Sequence, residues 1–293
     1  MMPASMLKFG LPKGSLEEAT LTLFDRSGWK ISMRNRNYFP AINDPEMSVS
    51  LCRPQEMPLY VADGILDAGL TGKDWVLENN ADVQVVADLI YSKMSNRQAR
   101  WVLAVGGDSP YTRPEDLAGK RVATEIMGLT RRYFEERNIP VKISYSWGAT
   151  EAKVVEGLAD AVVEVTETGA TIRAHGLRII DEVLVTNTQL IAGKDAWADP
   201  WKRRKIGQIT MLLQGALRAE SMVGLKMNAP TANLEDILKL VPSLNSPTIS
   251  SLQDKRWVSL EIIIDTGFVR DLIPRLVAAG AEGIIEYPLN KVI

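Results

Sequence analysis

The chain has 293 residues, of which 46% are hydrophobic and 24% charged, a composition that predicts a folded protein of two or three domains and excludes a disordered one. A formal net charge of −2 supplies no basic field for nucleic acid, so any anion site must be local. One cysteine, Cys52, excludes an internal disulfide, and one histidine, His175, excludes multi-histidine metal sites and leaves little for a Ser-His-Asp triad.

In chain order, Leu7–Phe9 reads as a short buried strand ended by Gly10, Pro12 and Gly14. Ser15 then caps a helix with Glu17 and Glu18 in its first turn and Gly28 just past its end. Met47–Arg53 alternates as a strand, Pro54 opens a helix through about Ala62, and Ile65–Leu70 is the next strand. Thr71–Gly72 leads into another helix. Strands Val83–Leu89, Trp101–Val105, Arg121–Thr124, Val141–Ser146 and Ala161–Val165 alternate with helices Leu129–Arg137 and Glu151–Leu158, and a helix follows Thr168–Gly169. The pattern predicts an α/β fold with largely parallel strands. Ligands of such sheets bind beyond the carboxyl ends of strands, here the loops after Phe9, Leu70 and Val165.

The polar segment Tyr91–Arg100 is expected to cross between two lobes, with a return near Leu184–Thr188. Pro200–Glu220 reads as one long helix whose run Lys202–Lys205 is a solvated face. From Ser221 the grammar changes: strand Met222–Met227, helix Leu234–Leu240 capped by Asn233, strands Thr248–Leu252 and Trp257–Ile264, helix Phe268–Ala279, strand Gly283–Tyr287. This βαββαβ order is ferredoxin-like, and Pro274 is expected to kink its second helix. No apolar run approaches the ~20 residues that span a bilayer, and Met1–Met6 lacks the features of a signal peptide, so a cytoplasmic location is expected.

The sharpest chemical segment is Gly157–Thr171. A buried strand ends in Glu164, Thr166 follows, and the turn Thr168-Gly169-Ala170-Thr171 starts a helix. Such a turn offers backbone N–H groups, hydroxyls and a helix N-terminus to one anion, and the carboxylate can accept bonds from ribose hydroxyls. Together they suit a ribose 5-phosphate; the alternative is an ordinary helix-capping turn. Lys13 and Gly14 form a second strand-to-helix turn, either an anion site or a plain capped loop. Arg53, at a strand end, suits a phosphate or purine edge, or else a surface salt bridge. The turn Asp67-Ala68-Gly69-Leu70-Thr71-Gly72 is ambiguous alone, and His175 reads as a helix-surface residue. Neither a Walker A pattern nor G-x-G-x-x-G occurs, which argues against a P-loop NTPase or a dinucleotide enzyme.

Glu151–Ile172 resembles the signature of ATP phosphoribosyltransferases, with Glu164 where that family usually has aspartate and Ile172 where leucine or methionine is usual. Leu11–Leu16, Arg53–Pro58 and Tyr60–Asp74 resemble the same family, and Asn228–Pro230, Ser246–Ile249 and Gly280–Ile284 resemble the regulatory domain of its long form. The resemblance implies two lobes of the periplasmic-binding-protein type, residues 1–95 with 185–219 returning and residues 96–184, followed by an ACT-like regulatory domain over 220–293. It implies transfer of the phosphoribosyl group of phosphoribosyl pyrophosphate to N1 of ATP, the first and histidine-inhibited step of histidine biosynthesis. Mg²⁺ would be carried on the substrates, with no metal held by the protein and no nucleic acid or membrane as partner. The assembly would be a homo-oligomer between dimer and hexamer.

Glu164, Thr166, Thr168, Gly169, Ala170 and Thr171 then fall to phosphoribosyl pyrophosphate, and Arg53, Lys13 and Arg36 to catalysis. Lys13, Gly14, Arg53, Asp67, Gly69, Thr71 and Gly72 fall to ATP, and Asn228, Thr248, Ala281 and Gly283 to histidine. The rival expectations are a non-catalytic solute-binding or amino-acid-sensing protein and a phosphoribosyltransferase for another base.

Overall fold

In the computed structural model, which describes residues 6–32, 38–91, 98–241 and 246–293, the chain opens with β1 (Leu7–Pro12), α1 (Glu17–Ser27) and the strand pair β2 (Ile31–Ser32) and β3 (Ala41–Ile42). Next come β4 (Met47–Cys52), α2 (Met57–Ala62), β5 (Ala68–Gly72), α3 (Lys73–Glu78) and β6 (Gln84–Leu89). Then follow β7 (Ala99–Gly106), β8 (Arg121–Thr124), α4 (Met127–Glu135), β9 (Lys142–Tyr145), α5 (Ala152–Val155), β10 (Ala161–Thr166), α6 (Ala170–Ala174) and β11 (Leu177–Thr186). β12 (Thr188–Ala192), α7 (Lys194–Ala198) and the long helix α8 (Pro200–Glu220) complete this part.

Two compact units result, one of residues 6–25 and 29–210, the other of 26–28 and 211–293. The first holds two five-stranded sheets, ordered β4-β1-β5-β12-β6 and β11-β7-β10-β8-β9, one in each of two lobes. The chain leaves the first sheet after β6 and returns to it at Asn187, between β11 and β12. The sheets are mixed rather than largely parallel. β1 runs parallel to β4 and β5, and β8 parallel to β9 and β10. β12 is antiparallel to β5 and β6, and β7 to β10 and β11. β7 and β12 are each entered by a crossing from the other sheet, so neither follows a paired neighbour through the helical return that parallel pairing within one sheet needs.

β1 continues through Gly10 to Pro12, because both of its edges are paired and Leu7, Phe9 and Leu11 are buried. Gly10 and Gly69 let α2 lie on the sheet: a Cβ at either would sit 2.3 and 2.5 Å from Met57 Sδ. The expected helix Glu151–Leu158 shrinks to the four residues of α5. β11 was not expected, and two register shifts, at Ile179/Asp181 and Glu182/Leu184, explain why its period-two pattern is broken. Lys202–Lys205 is not simply a solvated face. Lys202 pairs with Asp67 at 2.6 Å, and Lys205 with Asp44 and Glu46 at 2.8 Å each.

The second unit contains β13 (Met222–Pro230), α9 (Leu234–Leu240), β14 (Thr248–Ser251), β15 (Trp257–Asp265), α10 (Thr266–Ala278) and β16 (Glu282–Pro288). The sheet, ordered β14-β15-β13-β16, is antiparallel throughout, as βαββαβ predicts. Leu225, Met227, Leu260 and Ile262 pack with Ile237, Leu272 and Leu276 from the helices in one core. α10 runs through Pro274, and Asp265 caps it by accepting the Gly267 N–H at 2.8 Å. Asn233 does not cap α9 with its side chain; its amide donates to the Ala279 carbonyl at 2.8 Å.

Candidate active site

Three strand ends of the first sheet carry the first group of residues. Lys13 follows β1, donates its N–H to the Cys52 carbonyl at 2.8 Å, and holds its ammonium 3.7 Å from the Tyr38 ring centroid. Gly14 has φ +110°, and the nearest atom to a Cβ built there is Arg53 Nη1 at 3.9 Å. The Arg53 guanidinium thus lies beside the Lys13–Gly14 turn. It is exposed and forms no ion pair among the described residues. The Arg53 loop is clamped from below: Thr71 Oγ1 donates to the Pro54 carbonyl at 2.7 Å and Asn79 to that of Gln55 at 2.9 Å. Buried Thr71 therefore positions the loop.

Asp67 and Gly69 do not join this group. Asp67 precedes β5, where it accepts the Lys8 N–H at 2.8 Å and pairs with Lys202 at 2.6 Å. That is the amino end of the sheet, roughly 16 Å along β1 from Lys13 at ~3.3 Å per residue. Gly69 serves packing against Met57, and Gly72 makes room for Asp74, whose Oδ1 would lie 2.0 Å from a Cβ there. Arg36 lies outside the described residues.

The second group sits at the carboxyl ends of β8, β9 and β10. Glu164 is half-buried on β10, accepts the Val165 N–H at 3.0 Å and is hydrogen-bonded by Thr150, which also reaches Ser146 Oγ at 2.9 Å. Burial pushes its carboxyl up to about 7, and the charges of Glu151 and Glu125 push the same way. Glu125, just past β8, is raised by its own burial and by Glu151.

Beyond Glu164 the chain turns with Gly169 at φ +74°, a left-handed conformation that suits glycine. Thr166 Oγ1 accepts the Gly169 N–H at 2.8 Å and Thr168 Oγ1 that of Ala170 at 3.3 Å. Arg173 donates to the Thr168 carbonyl at 3.1 Å, which sets a guanidinium over the turn. Thr171 is exposed on α6, and its carbonyl meets Nδ1 of the exposed His175 at 2.9 Å. The turn brings together N–H groups, threonine hydroxyls and a guanidinium, groups of the kind that can hold an anion. Glu125, Ser146, Thr150 and Arg173 were not picked from the sequence. Two signals were present: Glu125 directly follows a strand, and Arg173 stands one helical turn after Gly169.

The two sheets are tied at Asp74. Its buried carboxylate accepts Trp101 Nε1–H of β7 at 2.7 Å and the Thr186 hydroxyl of β11 at 3.0 Å. Burial raises its pKa, and these two donors partly restrain the rise.

The sequence model of the ATP phosphoribosyltransferase family matches residues 53–215, and that of the family's C-terminal domain matches 219–291. An ATP phosphoribosyltransferase of Nitratidesulfovibrio vulgaris is 71% identical over 289 residues, covering 99% of each chain. One from Solidesulfovibrio magneticus is 66% identical, again over 99% of each. Among solved structures, the ATP phosphoribosyl transferase (HisG:HisZ) complex from Thermotoga maritima aligns with a TM-score of 0.61 and 29% identity, covering 71% of this chain and 97% of that one.

Proposed function

Because the chain belongs to the ATP phosphoribosyltransferase family, we propose that the two clusters of strand ends form the two halves of one active site. The reaction moves the phosphoribosyl group from phosphoribosyl pyrophosphate to N1 of ATP and releases pyrophosphate, the first step of histidine biosynthesis. The bond from ribose C1 to the pyrophosphate oxygen breaks, and one from adenine N1 to C1 forms. Positive charge develops at C1 and negative charge on the leaving group, so the protein's task is to position and neutralise.

On this reading the Thr166–Thr171 turn takes the 5-phosphate. The phosphate oxygens replace the threonine hydroxyls as acceptors for the Gly169 and Ala170 N–H groups, and Arg173 stands alongside. Glu164 accepts hydrogen bonds from the ribose hydroxyls, for which it must be ionised. Lys13 and Arg53 meet the pyrophosphate or the ATP phosphates. Mg²⁺ arrives on the substrates. The observation that carries the reading is the pairing of a strand-to-helix turn and carboxylate at one set of strand ends with a guanidinium and an ammonium, neither in an ion pair among the described residues, at another.

The second unit is proposed as a histidine sensor. Asn228 is exposed on β13, on the sheet face opposite the helices, and its Nδ2 lies 3.8 Å from the Cβ position of Gly283, with Ala281 buried beside it. Thr248 lies on the edge strand β14, separated from β13 by β15. A ligand reaching both would lie across the open face, where a second copy of the chain can cover it. A homo-oligomer of two to six chains in the cytoplasm completes the proposal. Among the described residues no helix is long and apolar enough to cross a membrane.

The test is to mix the protein with ATP, phosphoribosyl pyrophosphate, Mg²⁺ and pyrophosphatase and follow the absorbance of the N1-substituted product. A rise that requires both substrates is expected, and its absence would refute the reading.

A further inference from the structure

Two helices of different sheets cap one another. α4 begins at Met127 with Ile126 at its N-cap position and no side-chain cap of its own. The first N–H groups of a helix have no partner within it and are costly to bury unpaired. Glu78, the last residue of α3, supplies the missing acceptors: Oε1 takes the Gly128 N–H and Oε2 the Leu129 N–H, each at 2.8 Å. Gly128 permits this approach, because a Cβ there would lie only 3.1 and 3.3 Å from the two carboxylate oxygens. The contact is reciprocal. Arg132 of α4 donates to the Leu77 carbonyl at 2.7 Å, which brings a cation to the carboxyl end of α3. Each charge therefore meets the helix end whose dipole it complements.

The placement of these helices gives the contact a consequence. α3 continues directly from β5, whose Thr71 clamps the Arg53 loop. α4 begins two residues after Glu125, which shares the acidic cluster of Glu164. We propose that Glu78 is a positioning residue for phosphoribosyl transfer. By capping α4 from α3 it fixes the spacing between the cationic half of the site and the half that holds the ribose. This inference rests on the functional reading above. Glu78 itself need touch no substrate: its acceptor atoms are already engaged.

The test uses full-length Glu78→Ala and Glu78→Gln, with amide hydrogen exchange at Gly128 and Leu129, steady-state kinetics and thermal unfolding. In Glu78→Ala those two amides should exchange at least about tenfold faster while the rest of α4 stays protected. Its kcat should fall by roughly ten- to a hundredfold in a folded protein, the scale expected of a displacement near 1 Å. Glu78→Gln keeps a carbonyl acceptor and should recover most of that loss. Turnover of Glu78→Ala close to wild type would overturn the proposal. So would a loss that tracks only the unfolded fraction, or a glutamine variant no better than alanine. An inactive wild type would instead overturn the functional reading and this proposal with it, whereas an active wild type beside an indifferent alanine variant overturns this proposal alone.

Discussion

The Trp101 indole N–H donates a 2.7 Å hydrogen bond to the Asp74 carboxylate, and both groups are buried. Asp74 lies in the first turn of α3, which follows β5 of the first sheet, whereas Trp101 belongs to β7 of the second. One bond thus spans the two sheets, and Thr186, at the returning crossing, completes it at 3.0 Å. A buried carboxylate is tolerated only where donors surround it.

Trp101→Phe should therefore destabilise the protein by about 1–3 kcal/mol, because it removes a donor and leaves the acceptor buried. Urea unfolding measures this. A change below roughly 0.5 kcal/mol would show that the bond contributes little to joining the sheets.

Glu164 predicts a pH signature. Its folded pKa of about 7 lies above the ordinary value of 4.5, so the folded state holds its proton over a range where the unfolded state has lost it. The associated stability is fully present below 4.5 and is lost as the pH rises through about 7. Glu164→Gln should flatten that part of the stability profile, by an amount on the order of 3 kcal/mol across the window. Identical profiles for wild type and variant between those limits would contradict the burial of this carboxyl. Binding should run the other way. Since ribose recognition needs the ionised form, affinity for phosphoribosyl pyrophosphate should strengthen as the pH rises through about 7 in wild type, beyond any trend shared with the glutamine variant.

At the anion turn, Thr171→Ala combined with Thr168→Ala should weaken phosphoribosyl pyrophosphate binding by at least about tenfold, or ~1.4 kcal/mol, the scale of one or two hydrogen bonds to a charged group. Calorimetric titration reads this directly. Both residues are exposed, so the fold should be retained. Wild-type affinity in the double variant would remove the 5-phosphate from this turn.

For the second unit, full-length protein should bind histidine, and Asn228→Ala and Thr248→Ala should each weaken it, with a coupling to catalysis of about 1–3 kcal/mol. Calorimetry on the three proteins decides the matter. Failure of the intact protein to bind histidine ends the sensor proposal.

Much of this architecture was legible in the residues. The helix Pro200–Glu220 and the order βαββαβ follow from local periodicity and turn chemistry, and both are present. The strand-to-helix turn at Thr168–Thr171 was legible because a buried strand, an acidic residue and Thr-Gly-Ala-Thr occur in one local run. What escaped depends on tertiary contact. β11 hides behind two register shifts, and the antiparallel strands β7 and β12 follow from crossings between sheets that local patterns do not encode. Gly69 looked like a ligand-facing glycine but makes room for Met57, and Asp67 belongs to the wrong end of its strand, paired with a lysine 135 positions later. Thr150 came near to Glu164 only through the fold, as did Glu78 to α4.

Turnover of Arg53→Ala in the coupled absorbance assay, alongside wild type, tests the central claim most directly. The Arg53 guanidinium lies beside Gly14 with no ion pair among the described residues, so its removal should leave stability within about 0.5 kcal/mol of wild type. If it neutralises charge on the leaving pyrophosphate, the barrier to transfer should rise by roughly 2–4 kcal/mol, a loss of about thirty- to a thousandfold in rate. A folded Arg53→Ala protein that transfers phosphoribosyl to ATP at the wild-type rate would contradict the placement of the active site at these strand ends.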